Sequence, residues 1–180
     1  PQYDAARAQT LRYRVQSSVP VHAEHAVETA RQLVYAHYGA DAYSRGLDVY
    51  LTIRSADQEV AYRALRRGLL NFEQRQFYRG PEAHVNLPDA PDQVDARIAE
   101  ALAEHPANDE LRAAVVIEAM PRKVVAVLQS GEIITVTGSG LKPVESGLSA
   151  KAEPKLQIRR GAVVRALRNA KGDWSLTQVP

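Results

Sequence analysis

Apolar residues recur first at helical spacing and then, past the middle of the chain, at every second position. Ala5, Ala6, Ala8, Leu11 and Val15 stand among Arg and Gln and predict a helix over residues 3–16, broken by Ser17-Ser18-Val19-Pro20. Ala23, Ala26, Val27, Ala30, Val34 and His37 line one face of a second helix, residues 23–38, with Gly39 as its left-handed stop. Leu47, Val49, Leu51 and Ile53 then alternate with Asp48, Tyr50, Thr52 and Arg54, the pattern of a half-buried strand. Ser55-Ala56-Asp57-Gln58 has the form of a capping box, so a helix is expected over residues 56–76, with Ala61, Leu65, Leu69 and Phe72 as its apolar stripe.

Three prolines mark residues 81–91 as a linker. Val94, Ile98, Ala101 and Leu102 give a short helix behind it, closed before Pro106. Beyond Glu110 the residues are β-branched in runs: Arg112–Met120, Val124–Leu128, Ile133–Thr137, Ala162–Leu167 and Trp174–Val179, separated by Gly-containing turns. Five short strands with a long irregular connection over residues 142–154 predict a small OB-like barrel. The fold class is α+β. Helices with one linker strand occupy residues 1–80, and an OB-like domain with an acidic insert at 81–120 occupies residues 81–180.

Charge sharpens this division. The chain has a formal charge of +2, but residues 1–80 hold 11 Lys/Arg and 8 Asp/Glu, residues 81–120 hold 2 and 9, and residues 121–180 hold 10 and 4. An acidic insert thus stands between two basic segments, which suits internal docking or two faces for different partners. Cysteine is absent, which excludes disulfides, thiolate metal sites and a Cys nucleophile. No apolar run is long enough to cross a bilayer, and the opening residues lack the form of a signal peptide. With no initiator Met, the chain reads as a piece of a longer protein.

The run Tyr38-Gly39, Ala42-Tyr43, Gly46-Leu47, Val49-Tyr50-Leu51-Thr52-Ile53, followed by Phe77-Tyr78-Arg79-Gly80-Pro81-Glu82, resembles the bifunctional class A penicillin-binding proteins, type 1A. Leu51 stands where that family usually has Thr, and Phe77 where it has Gly. The tail Trp174-Ser175-Leu176-Thr177-Gln178-Val179-Pro180 is similar to the strand that ends the family's inter-domain module. The resemblance implies a non-catalytic segment between a glycosyltransferase and a transpeptidase domain. It also implies a periplasmic setting tethered to the inner membrane, and docking to an outer-membrane lipoprotein activator. Because the family places the Leu47–Ile53 strand in the linker near the transpeptidase, it is expected to pair with Trp174–Val179.

No catalytic string carries over. The glycosyltransferase motif Glu-Asp-x-x-Phe is absent, and Ser139-Gly140-Leu141-Lys142 has the form of the transpeptidase Ser-x-x-Lys but falls in a Gly-flanked turn without companion motifs. This segment is therefore expected not to be an enzyme and to need no cofactor. His22 and His25 beside Glu24 and Glu28 give a weak metal pattern, read as surface decoration, and His37 is read as a packing residue. An independent OB-fold protein binding oligonucleotides or a small ligand is the alternative. Nucleic acid is disfavoured, because Trp174 is the only aromatic residue after Tyr78 and successive bases need successive stacking platforms. The candidate partner-binding residues are Asp92, Asp95 and Glu100 on the acidic insert, Arg122, Lys123, Arg159 and Arg160 on the barrel, and Trp174 as its one large anchor.

Overall fold

A computed structural model of the chain describes residues 21–169 and 171–180, so the helix expected at residues 3–16 lies outside the described residues. Contacts divide the chain into two units, Pro1–Leu65 and Arg66–Pro180. In the first, helix α1 (Glu24–Tyr38) ends at Gly39, whose φ of 59° few side chains tolerate, and runs into a short 3₁₀ helix (Gly39–Tyr43). His37 is exposed, edge-on to Tyr38, and not packed.

The predicted strand Leu47–Ile53 does not form, and it has no pairing with Trp174–Val179. Its alternation is real but is used differently. Leu47, Val49 and Leu51 line one apolar groove with Val27, Ala30 and Val34 of α1, while the backbone has no ladder partner among the described residues. Helix α2 (Ser55–Glu73) follows, but not through the expected capping box. Ser55 is already helical, the amide of Gln58 donates to the Arg54 carbonyl, and the Gln58 side chain donates instead to the His22 carbonyl at 2.6 Å.

The second unit is a sheet of six antiparallel strands: β1 (Ala83–His84), β2 (Arg112–Met120), β3 (Lys123–Leu128), β4 (Ile133–Thr137), β5 (Ala162–Arg168) and β6 (Trp174–Thr177). Helix α3 (Pro91–Ala103) lies between β1 and β2. β2, β3 and β4 form a meander, and β5 lies against the other edge of β2. The free edge of β5 is shared by β1, paired at Ala162 and Val163, and β6, paired at residues 165–168. The expected five-stranded barrel is thus six-stranded and unclosed, since no ladder joins β4 to β6.

Two apolar layers explain the strand patterns. Ala114, Val116, Val124, Ala126, Ile134, Val136, Val164 and Leu176 face the barrel interior. A 3₁₀ helix (Gly138–Leu148), where only turn and connector were expected, adds Leu141, Val144 and Leu148 to that core. Ala113, Val115 and Val163 face outward and are covered by Leu87, Ile98, Ala101 and Leu102. Strands β2 and β5 are therefore buried on both faces and read as continuous apolar runs, whereas β4 buries only Ile134 and Val136. A register shift between Val116 and Glu118 bulges β2, the local bend that curving a sheet requires.

The chain enters and leaves the barrel at one point. Glu73, buried at the end of α2, accepts from Arg79 Nη1 and from Gln178 Nε2, each at 2.6 Å. The Arg79 amide donates to Gln178 Oε1 at 2.8 Å, and its guanidinium donates to the Val179 carbonyl at 2.6 Å. Beside this clamp, Tyr78 is buried in the core with its ring against Gly147, where a Cβ would come within 2.5 Å of it. Burial, aided by the Glu82 charge, pushes the Tyr78 phenol well above its ordinary range. Its hydroxyl has no protein partner among the described residues. Tyr78→Phe is accordingly expected to leave stability unchanged or to raise it by up to about 1 kcal/mol, read by urea unfolding. A loss larger than that would mean the hydroxyl is bonded.

Candidate functional site

Helix α3 is amphipathic, and its two faces have different tasks. Ile98, Ala101 and Leu102 press on the outer face of the sheet, while Asp92, Asp95 and Glu100 are exposed. Glu100 pairs with Arg97 of its own helix. Asp92 and Asp95 make no ion pair among the described residues, so two of the insert's charges stand unneutralised.

The basic residues expected to complement them are arranged otherwise. Arg160 donates to the Leu87 and Pro88 carbonyls, both at 2.8 Å, just ahead of α3. Lys123 pairs with Glu118 at 3.1 Å across the β2–β3 hairpin. Arg122 and Arg159 are exposed and make no ion pair among the described residues. The structure thus brings none of the acidic candidates against a basic candidate. It ties the insert down through a carboxylate and backbone carbonyls.

That tie is the feature missed in the sequence. Arg165, buried on β5, donates through Nε and Nη2 to the two oxygens of Glu82 at 2.6 and 2.9 Å and through Nη1 to the Pro106 carbonyl at 2.7 Å. His105 Nδ1 lies 2.9 Å from Glu82 Oε2. Burial alone would raise the Glu82 pKa, but the hydrogen bonds and charge of Arg165, with His105, outweigh it and hold the carboxyl below its ordinary range. Arg160 and Arg165 therefore grip the two ends of the insert. Nothing local signals this, because Glu82 and Arg165 are 83 residues apart.

Trp174, at the start of β6, is half-buried against the barrel core, with the Arg168 guanidinium 5.6 Å from its ring centroid. Trp174 lines two recesses, of about 420 and 510 Å³. Ser139 and Lys142 lie in the 3₁₀ helix after β4, both exposed. His22 stacks on Tyr62 with ring centroids 3.8 Å apart. Among the described residues no three His, Asp or Glu side chains are grouped to hold a metal ion. No described helix is long and apolar enough to cross a membrane.

A six-stranded antiparallel sheet in which a β2–β3–β4 meander is flanked by β5, itself paired with β1 and β6, is OB-like in plan, and the family model for the penicillin-binding protein OB-like domain matches residues 78–180. The chain belongs to the penicillin-binding protein OB-like domain family. It is 35% identical to penicillin-binding protein 1A of Neisseria cinerea over 99% of its length and 27% identical to penicillin-binding protein 1A of Escherichia coli K12. It spans 22% of the length of each. It is also similar to the crystal structure of penicillin-binding protein 1A from Haemophilus influenzae, with a TM-score of 0.69 and 26% identity, covering 99% of this chain and 25% of that one. The match to the OB-like domain starts at Tyr78, and the contact division falls at Leu65. What matches is this non-catalytic domain of the penicillin-binding protein 1A relatives, not a catalytic one. The motif residues that carry the resemblance, Tyr78, Arg79 and Gln178, are the core and clamp residues of the OB-like domain.

Proposed function

We propose that this chain is a docking module lying between the glycosyltransferase and transpeptidase domains of a periplasmic peptidoglycan synthase held at the inner membrane. In this reading an outer-membrane lipoprotein activator binds the exposed face of α3 and the neighbouring barrel rim. The observation that carries it is the acidic face itself. Asp92, Asp95 and Glu100 project from a helix whose other side is anchored by Ile98 and Leu102, so the charges are presented on a rigid support and are not spent on the barrel. Such a face steers a basic partner at long range while buried contacts set the residence time. Arg122, Lys123 and Arg159 complete the rim. Arg160 serves by holding the loop before α3 in place, and Trp174 makes its contacts with Arg168 and the barrel core. The independent oligonucleotide- or ligand-binding alternative is not favoured, since relatives align along 99% of the chain.

Deleting the insert would strip cover from Ala113, Val115 and Val163, so the test is made on charge alone. The triple variant Asp92→Asn, Asp95→Asn, Glu100→Gln is titrated with the activator at low salt and at physiological ionic strength, where the Debye length is about 8 Å. Affinity is expected to fall about ten-fold at low salt and less at physiological salt. Equal affinity of variant and wild type at both would remove α3 from the interface.

A further inference from the structure

The unclosed side of the barrel carries a second surface. Among the described residues β4 is laddered only to β3, and β6 only to β5. Along the seam between them lies the recess of about 510 Å³, within the range of about 300–1,000 Å³ usual for small-molecule sites. From β4 and the turn after it come Thr135, Thr137 and Ser139, and from the β5–β6 loop and β6 come Asn169, Asp173 and Ser175. Because Ile134 and Val136 take the core side of β4, Thr135 and Thr137 are exposed, and among the described residues their hydroxyls have no protein partner. At Gly140 a Cβ would stand 2.5 Å from the Trp174 carbonyl, so the turn lies flush against β6 and puts no side chain there.

The lining selects a chemistry. Three free-standing hydroxyls both donate and accept. Among the described residues the one carboxylate lining the recess, Asp173, is held by Asn169 Nδ2 at 3.3 Å, and no Lys or Arg lines it. Within this recess a phosphate would therefore meet a negative charge and no cation. An added peptide strand is also excluded from the seam. Cα atoms of β4 and β6 come within 8 Å of one another, whereas a strand inserted between two others needs about 9.5 Å. A pyranose has the matching surface, with hydroxyls around its rim and an apolar face of slightly positive C–H groups for the negative face of an indole. Trp174 is that indole. Arg168, bonded to the Gly172 carbonyl at 3.0 Å, stands over one face of its ring, and Trp174 also lines the second recess with Arg112, Gln129, Ser130 and Glu132. Two recesses that share Trp174 suit consecutive units of one linear chain.

We infer that the seam flanking Trp174 binds a neutral linear oligosaccharide, with one sugar ring in the recess of Thr135, Thr137 and Ser139 and the next in the second recess, at the edge of Trp174 left open by Arg168. The site is separate from the α3 face and does not depend on its docking role. Trp174 is the only tryptophan in the chain, so its fluorescence and its indole N–H resonance report on this place alone. The 180-residue chain is titrated with triacetylchitotriose and, in parallel, with cellotriose, an oligothymidylate and a neutral extended peptide. At least one trisaccharide is expected to give a saturable change with a Kd of about 1 mM. The double variant Thr135→Val, Thr137→Val is expected to weaken binding about ten-fold, and Ser139→Ala, on the exposed turn, provides the same comparison if the double variant unfolds. The inference is overturned by the absence of a saturable change with either sugar. It is equally overturned by unaltered affinity in a folded variant, or by the oligothymidylate or the peptide saturating the same signals more tightly than the sugars.

Discussion

Gly161→Ala is expected to destabilise the OB-like domain by at least about 3 kcal/mol. Gly161 has a φ of 87°, and a Cβ there would stand 2.0 Å from the Val85 carbonyl oxygen. The obstacle is backbone, and it is held on both sides. The Val85 amide donates to the Gly161 carbonyl, and the Gly161 amide donates to Val116, each at 2.7 Å. Relief requires β1, β2 and the start of β5 to part. Gly131 is the control, because its φ is 82° but a Cβ there meets nothing within 4 Å. Gly131→Ala is expected to cost about 1 kcal/mol, the conformational term alone. Urea unfolding of the two variants measures the difference, and equal midpoints would show that β1 yields freely.

Arg165→Met is expected to cost about 3 kcal/mol near neutral pH, because it strands the Glu82 carboxylate and leaves the Pro106 carbonyl unbonded. Adding Glu82→Gln should recover part of that loss by removing the stranded charge. The pair also sets an acid limit. Glu82 is held below its ordinary 4.5 in the folded domain, so the folded form takes up its proton less readily than the unfolded chain. Its contribution is complete above pH 4.5 and is lost as pH falls through the depressed folded value. Wild type should therefore lose stability with acidification below 4.5 more steeply than Arg165→Met. Parallel pH profiles would show that Glu82 gains nothing from this partner.

The five long strands were legible to within about two residues because alternation, β-branching and Gly-marked turns agree there. The Leu47–Ile53 segment shows the limit of the same signal. Alternation specifies one apolar face, and whether that face belongs to a laddered strand depends on a partner that the local pattern does not contain. Gln58 illustrates it again, since a helix-start glutamine that could return to its own cap finds the distant His22 carbonyl instead. β1 has two residues and no period to detect. In the candidate surface, the acidic residues of α3 were readable as a charge run with an apolar stripe behind it. The Trp174 recess was not, because it is assembled from residues 135 and 137–140 with Asn169 and residues 172–175, whose proximity follows only from the order of the strands.

The bonds among Glu73, Arg79, Gln178 and Val179 make the OB-like domain a pendant. Tension applied between the last turn of α2 and Val179 runs through one carboxylate, one guanidinium and one amide, and bypasses the sheet. The barrel therefore adds almost no length to the connection that carries it. A pull on the barrel is therefore passed to its stem through three side chains and one backbone carbonyl, and loads these before it loads the sheet.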